Sequence, residues 1–179
     1  LVPAFQKALA AGDDGALRVL VDIFETAGFA VVAAHDLVPD LMAREGVFSQ
    51  RQPDAQMSDD AARGAALVQC LAPMDVGQCC VIGQGQVMGI EAIGGTDHLL
   101  STLPARARGV DAILFKGPKP GQSHLVDMPT IGPDTLRRAH EAGLSGVVIE
   151  AGALIVLEPE VCVRLADEVN LVLWARTAG

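Results

Sequence analysis

Residues 110–133 are Val-Asp-Ala-Ile-Leu-Phe-Lys-Gly-Pro-Lys-Pro-Gly-Gln-Ser-His-Leu-Val-Asp-Met-Pro-Thr-Ile-Gly-Pro. The apolar run at 112–115 predicts a strand over residues 110–115, and Pro133 at a first helical position predicts the start of a helix. The polar residues between them therefore form a loop at the carboxyl end of a strand, where α/β proteins usually bind their ligands. The prolines and glycines of this loop indicate a defined shape.

Strands and helices alternate on both sides of this loop. Two apolar runs at 78–82 and 86–93 are separated by Gly-Gln-Gly, which predicts a hairpin and a sheet that is at least partly antiparallel. Further strands are predicted at 146–151, 154–157 and 171–174, and Pro159 lies at the start of a last helix. We therefore expect an α/β fold with a mixed sheet and helices packed on it.

The chain is expected to contain a short leading part and one larger domain. Residues 1–30 are predicted to be leading helices and a linker, and residues 31–179 a catalytic-type C-terminal α/β domain. Within these, the apolar run at 29–34 predicts a first strand, and Ser58 is predicted to cap a helix. Thr96 or Asp97 is predicted to cap another helix that continues to about Arg106.

Composition excludes some classes of protein. The chain of 179 residues has a net charge of −9, which argues against nucleic acid as a partner because phosphate backbones need clustered lysines and arginines. Cys70, Cys79, Cys80 and Cys162 show no CxxC spacing, and we interpret them as reduced thiols of a cytoplasmic protein. A zinc site is the alternative, but neighbouring cysteines in a strand point to opposite faces. No apolar run reaches the roughly 18 residues of a membrane-spanning helix.

A few charged side chains are candidates for chemistry. Lys116 and Lys119 flank a Gly-Pro turn, where two ammonium groups would suit a diphosphate, although solvated loop lysines are an equally good interpretation. Asp127 and Glu91 lie within short apolar runs, and a buried carboxylate must be paired, metal-bound or functional. Without a second clue, outward-facing positions on strands are the favoured interpretation of both. Glu150, at the end of a predicted strand, is a candidate for the rim of a pocket.

Several motifs, taken in order, resemble one bacterial enzyme family. They are Asp75-Val-Gly-Gln78, Val87-Met-Gly-Ile-Glu-Ala-Ile93, Gly95-Thr-Asp97, the loop from Lys116 to Pro133, Gly143-Leu-Ser-Gly146 and Glu150-Ala-Gly152. Over residues 14 to 176 or so, the chain resembles the C-terminal domain of the bacterial UDP-2,3-diacylglucosamine pyrophosphatases of the non-calcineurin type.

This resemblance implies a function and its setting. The reaction would be hydrolysis of UDP-2,3-diacylglucosamine to UMP and 2,3-diacylglucosamine 1-phosphate in lipid A biosynthesis, with Mg²⁺ as the cofactor. The protein would be a cytoplasmic homodimer with peripheral contact at the inner membrane, where the lipid substrate lies. Family members carry an additional N-terminal domain, which we expect to be missing from this chain.

The resemblance also implies site residues. Asp127, in the motif Asp-x-Pro-Thr, would be the catalytic residue, as a metal ligand or as the group that orients water. Substrate would be bound by Lys116, Lys119, Gln122, Thr96 and Thr130, and the metal ligands would be Asp127, Glu91 and Asp97.

Three positions depart from the family pattern. Ser123 and Leu125 stand where an acidic residue and an arginine are usual, and Gly94 stands where a glutamate is common. Losing the arginine would remove a bidentate phosphate contact. The alternative functions are therefore a catalytically inactive nucleotide- or lipid-binding relative or fragment of that family, and a hydrolase of another sugar nucleotide.

Overall fold

The structure is a computed structural model that describes residues 12–119 and 125–177. Its α-helices are α1 (Gly12–Thr26), α2 (Ala34–Leu37), α3 (Ala55–Leu71), α4 (Gly95–Ser101), α5 (Pro133–Glu141) and α6 (Pro159–Glu168). Its strands are β1 (Gly46–Val47), β2 (Cys79–Gly83), β3 (Gln86–Ile90), β4 (Ile113–Lys116), β5 (Thr130–Ile131), β6 (Gly146–Glu150), β7 (Ile155–Val156) and β8 (Val172–Arg176). The predicted α/β class with a mixed sheet is confirmed.

Six strands form the main sheet in the order β1-β8-β6-β4-β2-β3. Strands β8, β6 and β4 are parallel to one another, whereas β1, β2 and β3 each run antiparallel to their neighbours. The β2–β3 hairpin is the one that the sequence predicts. Strands β5 and β7 form a separate parallel pair, and β5 was not predicted because its two residues are too few to give a periodic signal.

Helices cover both faces of the main sheet. One face packs against α3 through a cluster that includes Met57, Ala61 and Phe115. The other face packs against α4, α5 and α6, with Leu99, Leu136 and other apolar side chains in a larger cluster. Cys79 and Cys80 belong to different clusters, which confirms that their side chains lie on opposite faces. Cys79, Cys80 and Cys162 are buried thiols, and Cys70 is exposed.

The chain divides into two compact units. One consists of Leu1–Asp40 with Gly121–Met128, and the other of Leu41–Pro120 with Pro129–Gly179. The first unit contains α1 and α2, and the second contains both sheets and the remaining α-helices. The predicted boundary at residue 30 stays a prediction. No helix in the described ranges, 12–119 and 125–177, has the length and apolarity needed to cross a bilayer.

Some local predictions were wrong. The run at 29–34 forms no strand, and α2 begins within it; Phe29 and Val32 are 64% and 54% exposed, so these apolar side chains are not buried in a sheet. Ser58 lies inside α3, whose N-cap is Asp54, because the extended backbone of Asp54 lets its carboxylate accept the Met57 N–H at 2.8 Å.

The predicted helix that follows β3 is also corrected. It begins at Gly95 after the N-cap Gly94 and ends at Ser101, and a 3-10 helix then covers Ala105–Ala107. Thr96 and Asp97 therefore lie within α4 and do not cap it. The Thr96 hydroxyl has a different use in the structure.

Candidate active site

Charged side chains collect at one end of the main sheet. Lys116 is the last residue of β4, Glu150 the last residue of β6 and Arg176 the last residue of β8. Glu91 follows β3 directly, and Gln78 precedes β2. Because β2 is antiparallel to both β3 and β4, its start lies beside the ends of those two strands. This is the edge at which α/β sheets bind ligands.

Glu91 is the centre of a hydrogen-bonded cluster. The Thr96 hydroxyl donates to Glu91 Oε1 at 2.6 Å, and the Gln78 backbone N–H donates to Glu91 Oε2 at 2.8 Å. Lys116 Nζ in turn donates to Thr96 Oγ1 at 3.2 Å. Glu91 is only 7% exposed and Lys116 only 8%, so both charges are held away from bulk water. A charge buried in this way needs close partners, and the threonine hydroxyl links the two.

The thiol of Cys79 lies against the same cluster. Cys79 Sγ is 3.7 Å from Thr96 Oγ1. Burial, and secondly the negative charge of Glu91, raise the pKa of Cys79 far above its ordinary value. The thiol therefore stays protonated at neutral pH, and it acts as a small packing group rather than a nucleophile.

A tight turn fastens the loop that begins at Lys116. Gly77 has a φ of +52°, and a Cβ at this position would lie 2.2 Å from the Glu91 carbonyl oxygen. The Gly117 N–H donates to the Gln78 carbonyl at 3.0 Å. Lys119 Nζ forms an ion pair of 2.5 Å with Asp75 Oδ1 at the start of this turn. The 75–78 segment thus contacts the Lys119 side chain and the backbone of Gly117, the residue that follows Lys116.

The other predicted site residues have different surroundings. Asp97 is exposed, and its Oδ1 is 3.2 Å from Arg138 Nε on α5. Thr130 begins β5 and lines a cavity of about 360 Å³. Asp127 is partly exposed and belongs to the unit that contains α1 and α2. Gln122 lies outside the described residues.

Glu150 and Arg176 complete the charged edge of the sheet. Burial raises the pKa of Glu150, and the positive charge of Arg176 opposes that rise. Arg176 Nη1 is buried and has no hydrogen-bond partner within the described part of the chain. The sequence indicated Glu150 as a pocket-rim candidate but gave no signal for Arg176. The parallel pairing of β6 with β8 brings the two together, and the local sequence does not encode that pairing.

Described residues alone do not form a complete metal cage. Within 12–119 and 125–177, no group of three or more histidine, cysteine, aspartate or glutamate side chains converges. Mg²⁺ commonly uses only one or two protein carboxylates and completes its coordination with water and substrate phosphates. The carboxylate of Glu91 has this chemistry, since each oxygen accepts one hydrogen bond and retains further lone pairs.

A three-layer α/β domain with a buried lysine and glutamate at the carboxyl edge of its sheet is suited to binding a phosphorylated ligand. The family model of the LpxI C-terminal domain matches residues 44–174. The chain therefore belongs to this family, which confirms the resemblance drawn from the motifs.

A curated relative supports the same assignment. The chain is 35% identical over 178 residues to the UDP-2,3-diacylglucosamine pyrophosphatase LpxI of Caulobacter vibrioides. The alignment covers 96% of this chain and 64% of that relative, so the chain spans a little under two thirds of the relative's length.

Proposed function

We propose that this chain carries the site for hydrolysis of the diphosphate of UDP-2,3-diacylglucosamine, giving UMP and 2,3-diacylglucosamine 1-phosphate in lipid A biosynthesis. The observation that carries the proposal is the Lys116–Thr96–Glu91 cluster, at the ligand-binding edge of a domain whose relative is named for this reaction. The alternative is an inactive relative of the same family, which would bind this substrate without releasing UMP.

Lys116 would bind a phosphate oxygen of the substrate. Its ammonium group has three N–H donors, and one of them is directed to Thr96. Thr96 donates its own proton to Glu91, so the hydroxyl fixes the position of the ammonium. The role of Thr96 is thus to position Lys116, in addition to any contact with substrate. A preorganised positive charge of this kind stabilises negative charge that develops in a phosphoryl-transfer transition state.

Mg²⁺ would neutralise phosphate oxygens when it is bound with the substrate. Glu91 is the carboxylate in the cluster that fits as a ligand. Asp97 fits less well, because its carboxylate already pairs with Arg138. Asp127 stays the predicted catalytic group, either as a metal ligand or as the residue that orients the attacking water.

The acyl chains of the substrate need an apolar surface. Met74 and Ile93 are 74% and 105% exposed. Met74 immediately precedes Asp75, and Ile93 lies two residues after Glu91, so both adjoin the segments that build the cluster. Exposed apolar side chains beside a charged cluster suit a lipid with a phosphorylated head. We propose peripheral contact with the cytoplasmic face of the inner membrane through these two exposed side chains, and a homodimer as the assembled form.

The test is release of UMP from UDP-2,3-diacylglucosamine with Mg²⁺, comparing the chain with its Asp127→Ala variant. The proposal expects release by the parent and loss in the variant. Arg63→Gln is the matched control, since Arg63 is an exposed residue of α3 with no predicted role in the site. Binding without release by the parent would favour the inactive relative, and release from sugar nucleotides that lack acyl chains would favour a different substrate. Equal release by parent and variant would refute the role of Asp127.

A further inference from the structure

Strand β3 lies at one edge of the main sheet. In the strand order β1-β8-β6-β4-β2-β3, its neighbour among the described residues is β2 alone. A cavity of about 250 Å³ adjoins this edge and is lined by Met88, Ile90 and the α4 residue Leu99, among others. The backbone N–H and C=O groups on the outer side of β3 are therefore open to pairing with a further strand.

Two apolar side chains of β3 are left partly uncovered on the face of the sheet that α3 occupies. Val87 is paired with Ile82, and Ile90 with Cys80. Both partners belong to the cluster beneath α3, so Val87 and Ile90 lie on that face as well. Because α3 packs mainly over β2 and β4, Val87 and Ile90 remain 37% and 39% exposed.

The sequence of β3 lacks the features that keep an edge strand unpaired. Residues 86–93 contain no lysine, arginine or proline, which natural sheets place at exposed edges. Their one charged residue is Glu91, which is only 7% exposed because its carboxylate accepts the Thr96 hydroxyl within the cluster. The outer side of β3 is thus an uncharged surface on a chain whose net charge is −9. Two copies of so acidic a chain can approach where neither presents exposed carboxylates.

The charges at the two ends of β3 are opposite in sign. Arg106 donates a hydrogen bond to the Gln86 side chain at the start of the strand, and Glu91 follows the end of the strand. In an antiparallel pair of two such strands, the start of each strand lies beside the end of the other. The cation of one copy would therefore lie near the anion of its partner, which favours this orientation.

We propose that two copies of this chain pair through β3, antiparallel and about a twofold axis perpendicular to the sheet, so that their main sheets become continuous. Such an axis keeps the same face of both sheets on one side, so Val87 and Ile90 of the two copies form one shared apolar patch. A second copy is the occupant because the edge needs an extended strand, and its apolar, end-charged surface is complementary to itself. This inference rests on the homodimer of the proposed function and names its interface.

Lysines introduced at the edge test this interface. Light scattering during gel filtration should give the 179-residue parent twice the chain mass of 18.6 kDa. The double variant Val87→Lys, Ile90→Lys is expected to raise the Kd of the dimer by about 100-fold or more, because a twofold contact brings the new charges of both copies together. Leu37→Lys is the matched control, since Leu37 is an apolar residue of α2 with 70% exposure, and it should leave the Kd unchanged.

Disulfide cross-linking gives a second readout that leaves the surface uncharged. In a twofold antiparallel pair, one residue near the middle of the strand lies directly opposite its own copy, at a Cα separation that a disulfide can span. Single cysteines are placed in turn at positions 86 to 90, after Cys70→Ser has removed the exposed thiol. At least one of them should give cross-linked dimer on oxidation, with Met88→Cys the first choice, and Leu37→Cys should give none.

The outcomes separate the interface from the rest of the account. A monomeric parent would overturn both the interface and the homodimer, and UMP release by that monomer would leave the proposed hydrolysis standing. A dimeric parent would overturn the interface alone if the double lysine variant kept the parental Kd, or if Leu37→Lys weakened the dimer equally. The melting temperature shows whether the double variant is folded. Should it fail to fold, the cross-linking decides, and an absence of cross-linked dimer at all five positions would overturn the interface.

Discussion

Replacing Gly77 with alanine tests how the turn at 75–77 supports the site. Gly77 has a φ of +52°, a conformation that costs an L-residue roughly 1–2 kcal/mol. The new Cβ would also lie 2.2 Å from the Glu91 carbonyl oxygen and 2.7 Å from its carbon. Because these are backbone atoms, they cannot move aside cheaply, and overpacking adds about 1–3 kcal/mol. The expected total loss of unfolding free energy is about 2–5 kcal/mol.

Gly85 provides the matched control for this substitution. It lies at the tip of the β2–β3 hairpin with a φ of +70°, and a Cβ there meets nothing within 4 Å. Gly85→Ala should therefore lose only the backbone cost of roughly 1–2 kcal/mol. Urea unfolding of both variants measures the difference, which should be about 1–3 kcal/mol. Gly77→Ala should also slow UMP release, because displacing Glu91 disturbs the Thr96 hydroxyl that positions Lys116. Equal losses in the two variants would refute the close approach of Gly77 to Glu91.

The remaining predictions concern the cluster, the charged edge and one helix cap. Thr96→Val should lower the unfolding free energy by about 1–3 kcal/mol and raise the KM for substrate, because Glu91 and Lys116 lose the hydroxyl that links them. Thr96→Ser keeps a hydroxyl and should retain the parental stability and KM. The pKa of Glu150 is raised in the folded protein above its ordinary value of about 4.5, so the folded state holds this proton more tightly and the unfolding free energy should fall as the pH rises from about 4.5 through the folded pKa. Melting measured over this pH range should show the fall, and Glu150→Gln should reduce it. Asp54→Ala should lower the unfolding free energy measured in urea by about 1 kcal/mol, and Ser58→Ala should lower it by less, because Asp54 is the N-cap of α3. The reverse order would indicate that Ser58 caps this helix.

The elements that the sequence predicts well are those with strong local signals. Pro133 and Pro159 start α5 and α6, and the Gly-Gln-Gly turn forms the β2–β3 hairpin, because each depends on a few neighbouring residues. The run at 29–34 has the composition of a strand but stays outside the sheet. Strand formation depends on a partner elsewhere in the chain, and composition cannot supply one.

The candidate site likewise combines residues with a local sequence signal and residues whose role depends on distant parts of the chain. Lys116 was a candidate because it flanks a Gly-Pro turn together with Lys119, and Glu91 because its carboxylate lies within a short apolar run. Their link through Thr96 was not predictable, because it depends on β3 and β4 both lying beside β2. Arg176 gave no signal at all, since only the parallel pairing of β8 with β6 places it opposite Glu150. Residue types identified part of the site, and the order of the strands supplied the rest.

The measurement that tests the central claim most directly is kcat/KM for UMP release by the parent and by Lys116→Met. The account predicts a loss of about 100-fold or more, because the variant removes the preorganised charge that meets the diphosphate. Circular dichroism and the melting temperature confirm that the variant is folded, and Arg63→Gln, on the exposed face of α3, should keep the parental rate. A folded Lys116→Met variant with parental kcat/KM, or a parent that releases no UMP, would contradict the account.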